Sequence, residues 1–508
     1  MTGGADALRA YHERTKHTPE RLRTNPHGLD WPIMPRPFKV YADLDPIPLP
    51  RDFLSSTQPA LASIAGDGSP LGRPAPLDRG ALARLLHFSA GVLRHRRYAG
   101  GEIFFRAAAC TGALYHVDLY VVCARLADLE AGVYHFGPHD FALRCLRAGD
   151  HRGVLQAATG GHPAVGEAPV LLLYTSTFWR NAWKYRERAY RHCFWDAGTI
   201  LANLLALSTA SALPATVVQG FVDADVNVLL DLDTAKEVTL GVVALGSGAA
   251  APPAAPAIRP RGLTTLPPSA REVDYAAIRE AHEASQLGDP VAVTAWRSAP
   301  PIPSPAATVP AEEVALDPPP ASTVAEPIET VILRRGSTRD FSDESITASQ
   351  LAALVHAATR AVPGDVVPAP ELYLLVHAVE GLAPGTYVAT SGGRSLVPLR
   401  AGVLRQEAGF LGLGQRLPAE AAVNLYWLID LERVFARYGG RGYRAAQLAA
   451  AIAGGRTYLA AYAQGLGATG LTFFDDEVTS FFSPRAAGKS VLFLVAAGWD
   501  ARRSARRQ

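Results

Sequence analysis

The sequence predicts an α+β fold made twice: two tandem domains in one chain of 508 residues, each a sheet flanked by helices. The first observation is self-similarity at one constant offset, the mark of a repeated unit. Aligning "NAWKYRERAYR" (Asn181 to Arg191) with "FARYGGRGYR" (Phe435 to Arg444) sets Lys184 on Arg437, Tyr185 on Tyr438, Arg188 on Arg441 and Arg191 on Arg444. The same register sets "DLYVVC" on "ELYLLV", "LEAGVYHF" on "LAPGTYVA" and "LPAT" on "LGAT". The second observation is a Pro- and Ala-rich stretch between the copies, whose composition buries too little to fold as a domain. The third is that helical and strand patterns alternate inside each copy, which predicts a sheet sandwiched by helices.

In chain order, residues 1–60 form a lead-in and 61–246 the first domain. Residues 247–327 form the linker and 328–508 the second domain. "ALARLLHFSAGVL" and "SQLAALVHAATRAV" have the period of amphipathic helices. "DLYVVCARL", "PVLLLYTST", "ELYLLVHAV" and "AAVNLYWLID" are apolar runs of strand length, while "GTILANLLALSTASAL" and "GGRTYLAAYAQGLG" are apolar helices. "KEVTLGVVALG" and "SVLFLVAAGW" close the two copies as strands. Within an otherwise extended linker, "VDYAAIREAHEASQL" predicts one short helix, with Tyr275, Ile278, His282 and Leu287 near one face.

With 48% hydrophobic and 19% charged residues, the composition is that of a globular protein. A formal charge of +2 gives no reason to expect nucleic acid or an anionic membrane as main partner. No run of bilayer-spanning length is evident, and the N-terminus lacks the apolar core of a signal peptide. Cys110, Cys123, Cys145 and Cys193 show no metal-ligand spacing and suit reduced thiols in a cytoplasm. His135 and His139 flank a "FGP" turn with no third ligand, so no metal is expected there.

"LLHFSAGVL", "RAAACTGALYHVDLY", "AGVYHF", "WKYRERAYR" and "GFVDADVNVLL" resemble the nitroreductase-fold flavoprotein superfamily, and within it the streptolysin-type (SagB-like) azoline dehydrogenases. The lead-in "YHERTKHTPERLR" is similar to that of the longer, two-domain members. The resemblance implies mixed, mainly antiparallel sheets, and an FMN bound where two domains meet. One subunit of such a dimer supplies a basic phosphate loop and a Gly-containing turn; the other supplies a loop of small residues and a covering helix. Duplication puts both halves in one chain as an intrachain pseudo-dimer.

The copies differ where that site would lie. "LRRGSTRDF" in the second copy offers Arg334, Arg335, Ser337 and Arg339, the paired guanidinium and hydroxyl donors a phosphate needs. The first copy keeps "RAAACTGALYH", from which Arg106, Cys110, Thr111, Gly112, Ala113 and Leu114 are expected around the flavin. The aligned stretch of the second copy is "PGDVVPA". Only the first copy keeps the family's Lys-Tyr pair, Lys184 and Tyr185. One hybrid site is therefore expected at the seam, with its mirror image lost. "GLGATG" has GxGxxG spacing but follows a helix where a dinucleotide fingerprint follows a strand. By resemblance Leu466, Gly467, Thr469, Gly470 and Leu471 instead pass the flavin edge, and Arg502 and Arg503 give a second phosphate contact. Cys110 and His116 stand where the family usually has serine and proline.

Azoline oxidation removes a hydride and a proton. Lys184 is expected to take the proton, with Tyr185 relaying it or hydrogen-bonding the ring, since burial and nearby cations favour a neutral amine. Arg186, Arg188 and Arg191 are adjacent in sequence to supply those cations. Phe178, Trp179, Trp183 and Trp195 are candidates for an aromatic channel or for core. Cys110 is expected to be a small space-filler beside the flavin rather than a nucleophile. The function expected is an FMN-dependent azoline dehydrogenase acting on a ribosomally made peptide, with oxygen as final oxidant and cyclodehydratase proteins as partners. The alternatives are an NAD(P)H-driven nitro-, quinone or ene-reductase, and a non-catalytic peptide-binding scaffold.

Overall fold

The computed structural model describes residues 2–25, 27–66, 77–98, 101–302, 313–320, 324–365 and 369–504. Strand formation follows the apolar runs. The first seven-stranded sheet runs, edge to edge, through Pro46–Pro48, Ala142–Ala148, Gly132–Gly137, Val117–Cys123, Val170–Thr177, Glu237–Leu245 and Ala215–Val218. The second repeats that order with Val314–Ala315, Ser395–Ala401, Gly385–Ala389, Glu371–Val376, Val423–Ile429, Ser490–Gly498 and Gly467–Gly470. Every pairing between neighbouring strands in both sheets is antiparallel. The lead-in and the linker each donate an edge strand, so neither is a mere spacer. Even the irregularities repeat: register shifts at Val133/Tyr134 and Tyr174/Thr175 recur at Thr386/Tyr387 and Trp427/Leu428, the aligned positions.

Two helices, Ala189–Ala210 and Leu431–Ala463, form the centre of the molecule. A Cβ on Gly198 would collide with Ala451, and one on Gly455 would meet Ala202. Residues 198 and 451 are aligned positions, and so are 202 and 455. Each therefore touches its own counterpart, as residues on a two-fold axis must, and the glycines let the backbones close. Two buried ion clusters flank this crossing. Arg188 and Arg191 meet Asp475 of the second copy at 3.0 and 2.6 Å. Arg441 and Arg444 meet Asp223 of the first, Arg444 at 2.7 Å. The segment that the sequence repeats is thus a cross-domain anchor used twice.

The structure corrects several expectations. The stretch Phe178–Ala210 is long and apolar enough to cross a membrane, but its most apolar 18-residue window is buried inside the protein. The linker holds a second helix, Pro290–Arg297, with Asp289 accepting from the Ala292 N–H as cap and proline in the first turn. The helix expected over residues 81–93 ends at Ala90; Gly91 turns the chain into a two-stranded ribbon, Val92–Tyr98 and Gly101–Arg106. "GLGATG" divides into a left-handed Gly465 closing the helix and the edge strand Gly467–Gly470. His135 is buried within Gly132–Gly137 rather than on a solvated turn.

Candidate active site

A cavity of about 380 Å³ opens at the seam, within the roughly 300–1,000 Å³ common for small-molecule sites. From the first copy it is walled by Ala109 to Gly112, Lys184, Tyr185, His192, Trp195, Asp196 and Thr199. The second copy adds Ser337, Arg339, Gln415, Tyr458, Thr469 to Thr472 and Phe493, and the lead-in adds His17.

The small-residue loop is held in a strained shape. Gly112, Ala113 and Tyr115 all have positive φ, of 64, 56 and 49°, a region costly for residues with a Cβ. Asp196 over-determines that shape from the central helix. Its carboxylate accepts from the Thr111 N–H at 2.9 Å and the Thr111 hydroxyl at 2.7 Å. The Cys110 thiol donates to it at 3.0 Å, and His116 Nε2 lies 2.7 Å away. Cys110 Sγ also accepts from the Tyr115 N–H at 3.1 Å, closing the loop on itself. Burial and then Asp196 push the Cys110 thiol well up, so it is a hydrogen-bonding thiol and not a nucleophile. Cys110, His116 and Asp196 place one metal-ligand type atom each within 4.8 Å of one another, but at hydrogen-bond separations that satisfy each other.

Lys184 and Tyr185 end the helix Phe178–Tyr185, which stops because Arg186 takes the left-handed φ of 50°. The aligned residue Gly439 breaks the long second helix at φ 57°. Both copies make the break; the first makes it with an arginine, at a strain glycine avoids. Lys184 Nζ lies 5.4 Å from the Tyr185 ring centre and has no carboxylate partner among the described residues. Tyr185 packs edge-on to His192 at 4.6 Å. Burial, with Asp196 and Cys110 nearby, pushes the Tyr185 phenol up, so it stays protonated as a donor. His17 is pulled down to about 3 by burial and Arg188, and is neutral near pH 7.

The cations expected beside Lys184 are otherwise engaged. Arg188 and Arg191 share the carboxylate of Asp475, and Arg186 donates to Asn25 Oδ1 at 3.1 Å. Arg339 on the opposite wall is exposed and has no carboxylate partner among the described residues. Lys184 and Arg339 are thus two basic side chains on the cavity wall with no carboxylate partner among the described residues.

Among the residues expected to hold the cofactor, the structure brings Cys110, Thr111, Gly112, Ser337, Arg339, Thr469, Gly470 and Leu471 to the cavity wall. It places the others elsewhere. Arg334 forks onto Glu326 at 2.6 Å and donates to the Tyr462 carbonyl. Arg335 is buried against the first copy, donating to the Ala107 carbonyl at 3.1 Å. Arg106 braces the base of the ribbon through the carbonyls of Ala90 and Val117. Leu114 and Leu466 are core, and Gly467 lies against Thr338. Ala113 does not reach the wall. Arg502 is exposed beside Asp500, and the Arg503 side chain lies outside the described residues. Of the four aromatic candidates Trp195 reaches the cavity, while Trp179 and Trp183 donate to Ser269 and to the Asp30 carbonyl. Sequence reasoning missed Asp196, His192, Thr199, Gln415, Tyr458, Phe493 and His17. Asp196 did leave a signal: its aligned residue is Ala449.

The nitroreductase family model matches the chain twice, over residues 73–247 and 332–499. Over 171 residues the chain is 27% identical to MJ1384 of Methanocaldococcus jannaschii, provisionally named a nitroreductase; the match covers 34% of this chain and 81% of that protein. It is 26% identical over 127 residues to the Escherichia coli microcin B17-processing protein McbC, covering 24% of this chain and 47% of McbC. A crystal structure from Anabaena variabilis, also provisionally named a nitroreductase, superposes with a TM-score of 0.78 at 26% identity. That match covers 97% of this chain and 99% of the other.

Proposed function

Given that the chain belongs to the nitroreductase family, as two copies of its domain, we propose that it is an FMN-dependent dehydrogenase that oxidises azolines to azoles in a ribosomally synthesised peptide. The observation that carries this reading is the composition of the seam cavity. Lys184, Tyr185 and the Asp196-pinned loop come from one copy, and Ser337, Arg339 and the Thr469–Leu471 edge come from the other. Members of this family are generally flavin dependent, and the donor set suits FMN: an unpaired guanidinium and a hydroxyl for a phosphate, backbone groups for a ring edge, and aromatic faces. When bound, FMN supplies the hydride acceptor.

The chain's own residues do the rest. Arg339 and Ser337 would hold the phosphate, and Thr469 to Leu471 would offer backbone groups to the ring. Lys184 takes the proton lost from the azoline ring, and Tyr185, held protonated, orients the ring by donating to it. Trp195 and Phe493 exclude water from that face. The motif resemblance to azoline dehydrogenases and the processing role in McbC's name favour a modified peptide as substrate; cyclodehydratase partners and oxygen as final oxidant complete the proposal. The test is mass spectrometry of an azoline-bearing peptide incubated with the purified protein. Each ring should lose about 2 Da, a hydride plus a proton; no loss with a flavin-loaded protein would refute the reading.

The nitroreductase names of the other relatives favour a second reading, a NAD(P)H-driven reductase in the same cavity. Rapid bleaching of the bound flavin by NAD(P)H would select it, and indifference to nicotinamide selects the dehydrogenase. A protein that stays colourless after FMN is added would leave only a peptide-binding scaffold.

A further inference from the structure

We infer that the ribbon Val92–Tyr98/Gly101–Arg106 is a docking strand for an extended acidic peptide. Among the described residues the ribbon joins neither large sheet, and its strands pair only with each other. Each strand therefore keeps an outer edge whose backbone groups an added strand can use. Alternate residues of a strand share a face, so Arg94, Arg96 and Tyr98 stand together with their cross-strand partners Phe105 and Ile103. The Arg94 and Arg96 guanidinium groups lie 5.5 and 6.0 Å from the Phe105 ring centre. Neither has a carboxylate partner among the described residues. Tyr98 and Ile103 beside them are 57% and 42% exposed, large for isolated apolar side chains on a projecting ribbon.

The ribbon's acid does not answer these charges. Glu102 lies on the opposite face, 2.7 Å from His95, which is stacked on Phe104, and 3.8 Å from Arg97. The open face thus presents two cations spaced roughly 7 Å apart along a strand, with apolar surface alongside. An extended peptide repeats its own same-face side chains at that interval. Carboxylates two residues apart would meet Arg94 and Arg96 while the backbone pairs with the ribbon edge. A nucleic acid matches less well, because the chain's formal charge of +2 provides no wider field to hold a polyanion.

The second strand of the ribbon runs on through Arg106 to Ala109 and Cys110 on the cavity wall. A peptide held on the ribbon is therefore tethered next to the seam cavity. That this peptide is also the substrate rests on the function proposed above; the docking itself does not.

The test uses the full chain and a fluorescently labelled Glu-Thr repeat peptide, read by anisotropy at low and moderate salt. A Lys-Thr repeat and a single-stranded DNA of similar length serve as comparisons. Saturable binding of the acidic peptide is expected, weakening with salt and falling about tenfold in Arg94→Glu/Arg96→Glu. The milder Arg94→Gln/Arg96→Gln pair should show an intermediate loss, and melting temperatures of both variants guard against misfolding. Absence of saturable binding, equal binding by the variants, or tighter binding of the DNA would each overturn the docking proposal. Loss of ring oxidation with docking intact would instead count against the proposed function.

Discussion

The molecule has a second cavity of about 380 Å³ at the position that exchanges with the seam site under the internal two-fold. Thr216, Gly364, Asp365, Tyr438 and His162 line it, the aligned counterparts of Thr469, Thr111, Gly112, Tyr185 and Gln415. The frame is therefore the same and the furnishing is not. Where the seam site has Trp195 and Asp196, its counterpart has Leu448 and Ala449; Lys184 is matched by Arg437, which is exposed and off the wall. The linker helix then brings in Trp296, 6.3 Å from the Tyr438 ring, while the Tyr438 hydroxyl donates to the Pro300 carbonyl at 3.3 Å. Arg297 fastens that helix through the carbonyls of Thr159 and Gly160. The two pockets share a backbone frame and differ in the side chains each copy carries and in the linker residues that line one wall of the second.

The largest expected effect separates the two lysine-position residues. Lys184→Ala should lower turnover by roughly 10²- to 10⁴-fold, the usual worth of a positioned proton acceptor, with flavin absorbance retained. Arg437→Ala, at the aligned position, should leave turnover unchanged. Equal losses in both variants would mean that the two cavities are not functionally distinct.

The ion clusters sharpen the comparison because they are structural in both halves. Asp475→Asn and Asp223→Asn each strand a pair of buried arginines, so each should cost about 3–5 kcal/mol in denaturant unfolding. Only Asp475 also neighbours the seam site, through Arg188 and the His17 N–H, so only its variant should also lose flavin affinity. Burial alone would raise the Asp475 carboxyl, but Arg188 and then Arg191 more than offset this and hold it well below the usual carboxylate range. Its contribution is thus complete above a pH of about 4 and is lost as pH falls below that towards its folded value. Asp475→Asn should lack this component of the acid-unfolding profile.

Much of this was legible in the residues. The tandem α+β organisation followed from periodic apolar runs repeated in register, and the resemblance, with what each copy lacks, pointed to the seam, where a cavity is lined by both copies. What escaped was set by partners far apart in the chain. Arg334 and Arg335 resemble phosphate ligands until Glu326 and the Ala107 carbonyl appear beside them. Asp196 sits inside an apolar helix, where no spacing marks it, and His17 arrives from a distant lead-in. The ribbon is a basic run without apolar alternation. The helix Pro290–Arg297 is short and rich in β-branched residues, which disfavour helix on propensity alone.

A smaller effect is expected at the loop. Gly112 has φ of +64°, and a Cβ there would lie 2.8 Å from the Tyr185 hydroxyl. Gly112→Ala carries the left-handed penalty of about 1–2 kcal/mol and displaces Tyr185. Turnover should fall about tenfold, with little change in thermal stability beyond that penalty. The aligned residue Asp365 already carries a side chain, hydrogen-bonded to the N–H groups of Gln219 and Gly220, so the second cavity has no equivalent constraint to lose.

The smallest effect on turnover belongs to Trp296. Trp296 is buried, contacts Tyr438 and lines the second cavity, far from Lys184 in the chain and on the other side of the two-fold. Trp296→Ala should lower the melting temperature, because a large buried side chain is removed. It should leave both flavin stoichiometry and turnover per flavin unchanged. A second equivalent of FMN bound by this variant would show that the linker alone silences the second cavity. One equivalent, as expected, would place the cause in the residues that copy lacks: it has Ala449 where the seam site has Asp196, and Leu448 where the seam site has Trp195.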